Sequence, residues 1–156
     1  MKFLIISPSN SQTKWADLGA NDYLDRISHF VKIEVPELSS GKVSRDRNLD
    51  KIEQESETIL KHITGDDLVV LLDEKGRNWD SLEWSDQIKK MLLSGKKRVV
   101  FVIGGAFGVS QRIKTRANLK VSFGAAVLNH HLIKIVLLEQ IYRGFTIINN
   151  LPYHNK

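Results

Sequence analysis

The residues best suited to chemistry begin where an apolar run stops on glycine. Val99-Val100-Phe101-Val102-Ile103 passes directly into Gly104-Gly105-Ala106-Phe107-Gly108. Glycine has no Cβ, so backbone amides in such a turn can approach a ligand closely. A buried strand ending on a glycine turn is also where open α/β sheets hold ligands. The alternative for a glycine pair alone is a tight turn and nothing more. Asp73-Glu74 closes a second apolar run, Leu68 to Leu72, and paired carboxylates point to metal or acid–base chemistry. Adjacent strand residues face opposite ways, so a solvated turn is the simpler reading. His130-His131 is a third pair. Neighbours on a helix diverge by about 100°, which argues against a shared metal. Glu139 and Arg143 stand at i,i+4 and are spaced to pair.

The elements that must position these residues follow from periodicity. Lys2 to Ser7 and Leu68 to Asp73 read, like Val99 to Ile103, as strands buried on both faces. Phe30 to Val35 alternates, which fits a strand with one wetter face near a sheet edge. Leu119 to Phe123 reads as a short last strand. Helices are expected from Ser11 or Thr13 to Ser28, with Trp15, Leu18, Tyr23, Leu24 and Ile27 as the apolar stripe. Further helices are expected over Leu49 to His62, from a cap at Asp80 or Ser81 to Leu93, and over Ser110 to Thr115. Pro36 to Arg47 is a polar loop whose Lys42, Arg45 and Arg47 are suited to phosphate. Gly124 to Leu128 is a small-residue connection, and Asn129 is placed to cap a last helix from His130 to about Gly144. That helix is apolar around most of its circumference, so it lies deep in the core or also in a subunit interface. Strands alternating with helices imply an α/β fold with a mostly parallel sheet.

The 156 residues suit one domain spanning 1–156, with 42% hydrophobic and 26% charged residues. There is no cysteine, which excludes disulfides and cysteine metal sites. The opening, Met1 to Pro8, has too short an apolar run for a secretory signal, and no run approaches the roughly 18 residues of a membrane span. The net charge of +5 is uneven. Residues 97–156 hold nine Lys/Arg and a single acid, Glu139, while residues 1–96 hold 14 Lys/Arg and 17 acids. A basic C-terminal part beside the glycine turn suggests a polyanionic partner such as RNA. There is no Walker motif, and the glycines do not form a dinucleotide fingerprint.

Three segments together resemble a known family. They are Ile103-Gly104-Gly105-Ala106-Phe107-Gly108, Leu137-Leu138-Glu139-Gln140-Ile141-Tyr142-Arg143-Gly144-Phe145-Thr146-Ile147, and Pro152-Tyr153-His154. The chain is similar along its whole length to the RlmH family. These are small SPOUT-class RNA methyltransferases acting on a pseudouridine of bacterial large-subunit ribosomal RNA. The resemblance implies a trefoil-knotted α/β fold, a cytoplasmic homodimer with the last helix at its interface, and S-adenosylmethionine (SAM) as cofactor with no metal. It implies N3 of a pseudouridine in 23S rRNA as the target, in the assembled ribosome.

By matching position, the resemblance puts Leu72, Gly104, Gly105 and the segment Phe123, Gly124, Ala125, Ala126, Val127, Leu128 around SAM, largely through backbone groups. It makes Arg143, Tyr153 and His154 the catalytic residues. Arg143 would hold a phosphate or a uracil carbonyl, Tyr153 would stack on or hydrogen-bond the base, and His154 would take the N3 proton or bind phosphate. It also predicts that charging Leu137 or Leu138 separates the subunits or unfolds the chain. The chain departs from the family at Gly124-Ala125-Ala126-Val127, where a Ser-Lys-Met-Thr-like segment is usual, at Asn129-His130-His131 in place of Pro-His-Gln, and at Lys134 in place of arginine. Those departures keep two other readings open: a catalytically weakened knotted RNA- or ribosome-binding protein, and a methyltransferase with another RNA target.

Overall fold

The computed structural model describes residues 1–7, 13–38, 48–105 and 107–154. Five strands form one sheet: β1 (Lys2–Ile6), β2 (Lys32–Glu34), β3 (Leu68–Asn78), β4 (Arg98–Ile103) and β5 (Leu119–Ser122). Every pairing is parallel, and the order is β2-β1-β4-β3-β5. Five helices connect or follow them: α1 (Lys14–Ser28), α2 (Asn48–Leu60), α3 (Ser81–Leu93), α4 (Gln111–Arg116) and α5 (His130–Ile148). The fold is the expected α/β sandwich. The chain crosses between β2 and β3 and again between β4 and β5, so β4 lies at the centre and β2 at an edge.

The continuous apolar strands are explained by burial on both faces. Phe3, Ile5, Val99, Phe101 and Ile103 point into one core with Trp84, Ile88, Leu137, Leu138 and Ile141. Their neighbours Leu4, Ile6, Val100 and Val102 point into a second core with Ile59 and Ile113. The first core lies under α1, α3 and α5, the second under α2 and α4. Each residue in these runs is shielded from water, which period-2 alternation would not achieve. Leu38, in the stretch expected to be a polar loop, is buried in the second core. Lys42, Arg45 and Arg47 lie outside the described residues.

Four expectations are corrected. The third strand does not end at Asp73. Leu72 pairs with Val121, and after a register shift Arg77 pairs with the same Val121 and Asn78 with Ser122. Residues 73–76 thus bulge out and return to the sheet. Gly76 makes this possible, because a Cβ there would come within 2.6 Å of the Val121 backbone. The last helix does not stop at Gly144 but runs to Ile148. Gly144 is the contact point with α3: a Cβ would meet Ile88 Cδ1 at 2.4 Å. Trp15 and Leu18 are not core residues; they are 53% and 72% exposed. Leu137 and Leu138 are wholly buried in the chain's own core, so of the two effects expected on charging them, burial supports unfolding and not separation of subunits. Among the described residues no helix is long and apolar enough to cross a membrane.

Candidate active site

Gly104 and Gly105 leave the C-terminal end of the central strand β4. Gly105 and Gly108 form a short antiparallel bridge, with Gly108 N–H donating to Gly105 O at 3.0 Å. Gly108 has φ +82°, a region that favours glycine. The turn is braced from α2. Ser110 N–H donates to Ser56 Oγ at 2.9 Å, and a Cβ on Gly105 would collide with the Glu55 carboxylate. Burial raises the pKa of Glu55, opposed by Lys51 at 3.9 Å. Lys51 Nζ also sits 5.6 Å from the ring centroid of Phe107.

The facing wall comes from β3 and β5. Leu72 ends the regular part of β3, and Asp73 Oδ1 accepts Lys75 N–H at 2.8 Å. Beyond β5, Ser122 Oγ accepts Gly124 N–H at 3.1 Å and donates to Gly124 O at 3.0 Å. Gly124 has φ +111°, which only glycine adopts without strain. Phe123 is held by stacking on Trp84, centroids 5.6 Å apart. The α5 start closes the third side: Asn129 caps it by accepting His131 N–H at 2.8 Å, as expected.

Together these elements enclose a pocket of about 690 Å³ at the C-terminal ends of β3, β4 and β5. Leu72, Gly104, Gly105, Phe123, Gly124, Ala126, Val127 and Leu128 all line it; Ala125 does not. Asp73 and Glu74 also line it, where a solvated turn was the simpler reading, together with Lys75, Lys114 and His130. Asp73 and Glu74 were marked in the sequence as a carboxylate pair closing a buried strand, whereas Lys75 was marked only by following it. His130 Nε2 is buried with no hydrogen-bond partner among the described residues. Burial lowers the pKa of His130, helped by the charges of His131 and Lys134. The His130 and His131 rings come closer than helical divergence suggests, with centroids 4.1 Å apart. Among the described residues no group of three or more His, Cys, Asp or Glu is placed to hold a metal.

Arg143, Tyr153 and His154 form a second cluster, near the other end of α5. Arg143 donates from Nε to Glu139 Oε1 at 2.9 Å and from Nη2 to the same oxygen, the expected i,i+4 pair. That bond raises the arginine's pKa. Arg143 Nη1 is 3.4 Å from His154 Nδ1, and the guanidinium lies 4.7 Å from the Tyr153 ring centroid. Tyr153 Oη donates to Glu139 Oε1 at 3.3 Å and meets Tyr23 Oη of α1 at 3.4 Å. Tyr142 packs edge-on against Tyr153, centroids 4.8 Å apart. The structure therefore gathers the three tail residues but places them away from the pocket. Arg143 is thirteen residues beyond His130 on the same helix, or ~20 Å at 1.5 Å per residue. Sequence reasoning missed Tyr23 as a partner of the tail, because it counts equally well as part of the apolar stripe of α1.

A parallel α/β sheet with a glycine-turned pocket at its strand ends is the arrangement in which open α/β proteins hold ligands. The family model described as "Predicted SPOUT methyltransferase" matches residues 1–154. The chain is 43% identical over 155 residues to the ribosomal RNA large subunit methyltransferase H of Bdellovibrio bacteriovorus, covering 99% of each chain. It is 39% identical over 158 residues to the protein of the same name from Streptococcus pneumoniae, again covering 99% of each. The chain belongs to the SPOUT methyltransferase family.

Proposed function

We propose that this chain is a SAM-dependent methyltransferase that modifies N3 of a pseudouridine in 23S rRNA of the assembled ribosome, working as a homodimer. The observation that carries the reading is the pocket. Eight of the nine residues expected around SAM line it, although they come from three separate segments of the chain. The relatives' names supply the substrate class, ribosomal RNA of the large subunit.

The pocket's chemistry fits this cofactor. Its volume lies within the ordinary range for small-molecule sites. Asp73 and Glu74 stand with Lys75 and Lys114 on its wall, offering both signs of charge to the zwitterionic amino-acid end of SAM. The buried, unpartnered His130 Nε2 offers one polar contact. The Gly104 turn brings backbone to the pocket wall without a Cβ in the way, which suits an adenine edge. When bound, SAM would supply an electrophilic methyl group on a sulfonium, whose leaving group would be a neutral thioether. The residues of this chain must hold the base in line with that group, exclude water and manage the N3 proton.

The same separation supports the dimer. The tail cluster starts ~20 Å along α5 from the pocket of its own chain, and a second copy packed against α5 would present Arg143 and His154 to it. Exposed apolar groups lie beside the pocket and on the helices flanking it: Val127 at 92%, Leu132 at 42%, and Trp15 and Leu18 on α1. Leu132, Val136, Glu139 and Arg143 recur at i, i+4, i+7 and i+11, on one face of α5. That face joins apolar contact to the tail cluster.

Isothermal titration with SAM tests the pocket. Saturable one-to-one binding per chain is expected. No heat at millimolar SAM contradicts the enzyme and leaves a knotted ribosome-binding protein as the reading.

A further inference from the structure

We propose that Arg143 and His154 present only hydrogen-bond donors outward, so that this pair holds the N3-deprotonated, anionic edge of the target base and takes no proton from it. The inference rests on the N3-methyltransferase reading and deepens it by assigning the fate of the proton.

Arginine has five N–H donors and no acceptor. Nε and Nη2 of Arg143 are directed at Glu139, and Nη1 is directed at His154 Nδ1 at 3.4 Å. A guanidinium can only donate, so Nδ1 carries the lone pair, and the proton of the neutral ring is on Nε2. His154 therefore turns an N–H, not an acceptor, away from Arg143. Tyr153 offers no base either. Its O–H goes to Glu139 and its oxygen faces Tyr23. Burial, with the Tyr23 hydrogen bond and the charge of Glu139, holds its pKa well above the ordinary tyrosine value. Glu139 is the carboxylate of the cluster, and it is occupied. Oε1 accepts from Arg143 and Tyr153, and Oε2 accepts from Gln140 Nε2 at 2.6 Å. On the α1 side the facing groups are Tyr23 and Arg26; Arg26 lies over Tyr142 at 5.7 Å and is paired with Asp22.

What remains outward is the N–H groups on Arg143 Nη1, of a guanidinium paired with Glu139, and on His154 Nε2. A uracil-type imide deprotonated at N3 spreads its charge over O2, N3 and O4. Donors fixed in advance against such oxygens stabilise the anion without reorganising. The N3–H bond breaks with its electron pair left on the base and the proton passing to water.

Two measurements decide this. In protein labelled with ¹⁵N-histidine, two-bond ¹H–¹⁵N correlation reads the His154 tautomer, assigned by loss of its signals in His154→Gln. The proton is expected on Nε2. A proton on Nδ1 overturns the inference, whether or not the chain transfers methyl groups. Single-turnover methyl transfer to ribosomes from a strain lacking the enzyme is then followed against pH. The rate is expected to climb continuously over about pH 6 to 8. His154→Gln, which keeps an N–H, should fall by no more than about tenfold with the same pH slope, and His154→Ala by about a hundredfold. A rate that levels off as a histidine loses its proton, with Gln as inactive as Ala, makes His154 the base and overturns the inference. If wild-type protein transfers nothing, the functional reading fails, and the tautomer still decides the donor assignment.

Discussion

Glu139 holds the tail cluster together. It binds Arg143 through two nitrogens and also receives the Tyr153 hydroxyl, while Gln140 links it to Ser81 of α3. Glu139→Gln keeps the shape and loses the charge that fixes Arg143. Methyl transfer should drop roughly a hundredfold, as misplacement of a positioning group by about 1 Å does. SAM affinity, measured by titration, should not change, because the pocket lies at the other end of α5. Loss of SAM binding in this variant would contradict the separation of the two clusters. Glu55 makes a different prediction. Its folded-state pKa is raised, so the folded chain favours the protonated form. Its contribution to stability is greatest below the unfolded value and is lost as pH rises through the folded one. Glu55→Gln should therefore raise Tm at pH 7 more than at pH 4. Equal shifts at both pH values would show that the carboxylate against Gly105 carries no such cost.

The bulge of β3 and the α3–α5 crossing both depend on a missing Cβ. Gly76→Ala pushes a methyl group into the backbone of Val121, which lines the pocket. A loss of about 1–3 kcal/mol in denaturant unfolding is expected, with weaker SAM binding. An unchanged midpoint would mean that the bulge relaxes freely. These two glycines also mark the limits of what was legible. Doubly buried strands were readable because continuous Val, Ile, Leu and Phe runs have one physical explanation in an α/β sheet. The extension of β3 was not, because a charged run, Asp73-Glu74-Lys75, returns to the sheet only through a backbone contact that no pattern encodes. Gly144 reads as a helix end by propensity, but here it serves packing against Ile88.

At the scale of the whole molecule, the glycine turn marked one wall of the pocket, and the rest of its lining was expected only from the resemblance to the family. The pocket's separation from the tail cluster was not legible. Arg143 follows His130 by only thirteen residues, and the helix between them turns that spacing into ~20 Å. The apolar excess of α5 pointed correctly to deep burial, but Leu137 and Leu138 are satisfied within one chain. Leu132→Asp, on the exposed face, should give a folded monomer by light scattering that binds SAM but transfers no methyl group. A dimer of unchanged activity would contradict the shared site. Mixing a variant blocked at the pocket, Gly104→Val, with Arg143→Ala should restore part of the activity that each lacks, through mixed dimers with one complete site. The most direct measurement of the central claim is mass mapping of 23S rRNA from a strain deleted for this chain. One pseudouridine should lose its N3 methyl group and regain it when the wild-type chain, but not Arg143→Ala, is returned. An intact methyl mark in the deletion strain would contradict the account.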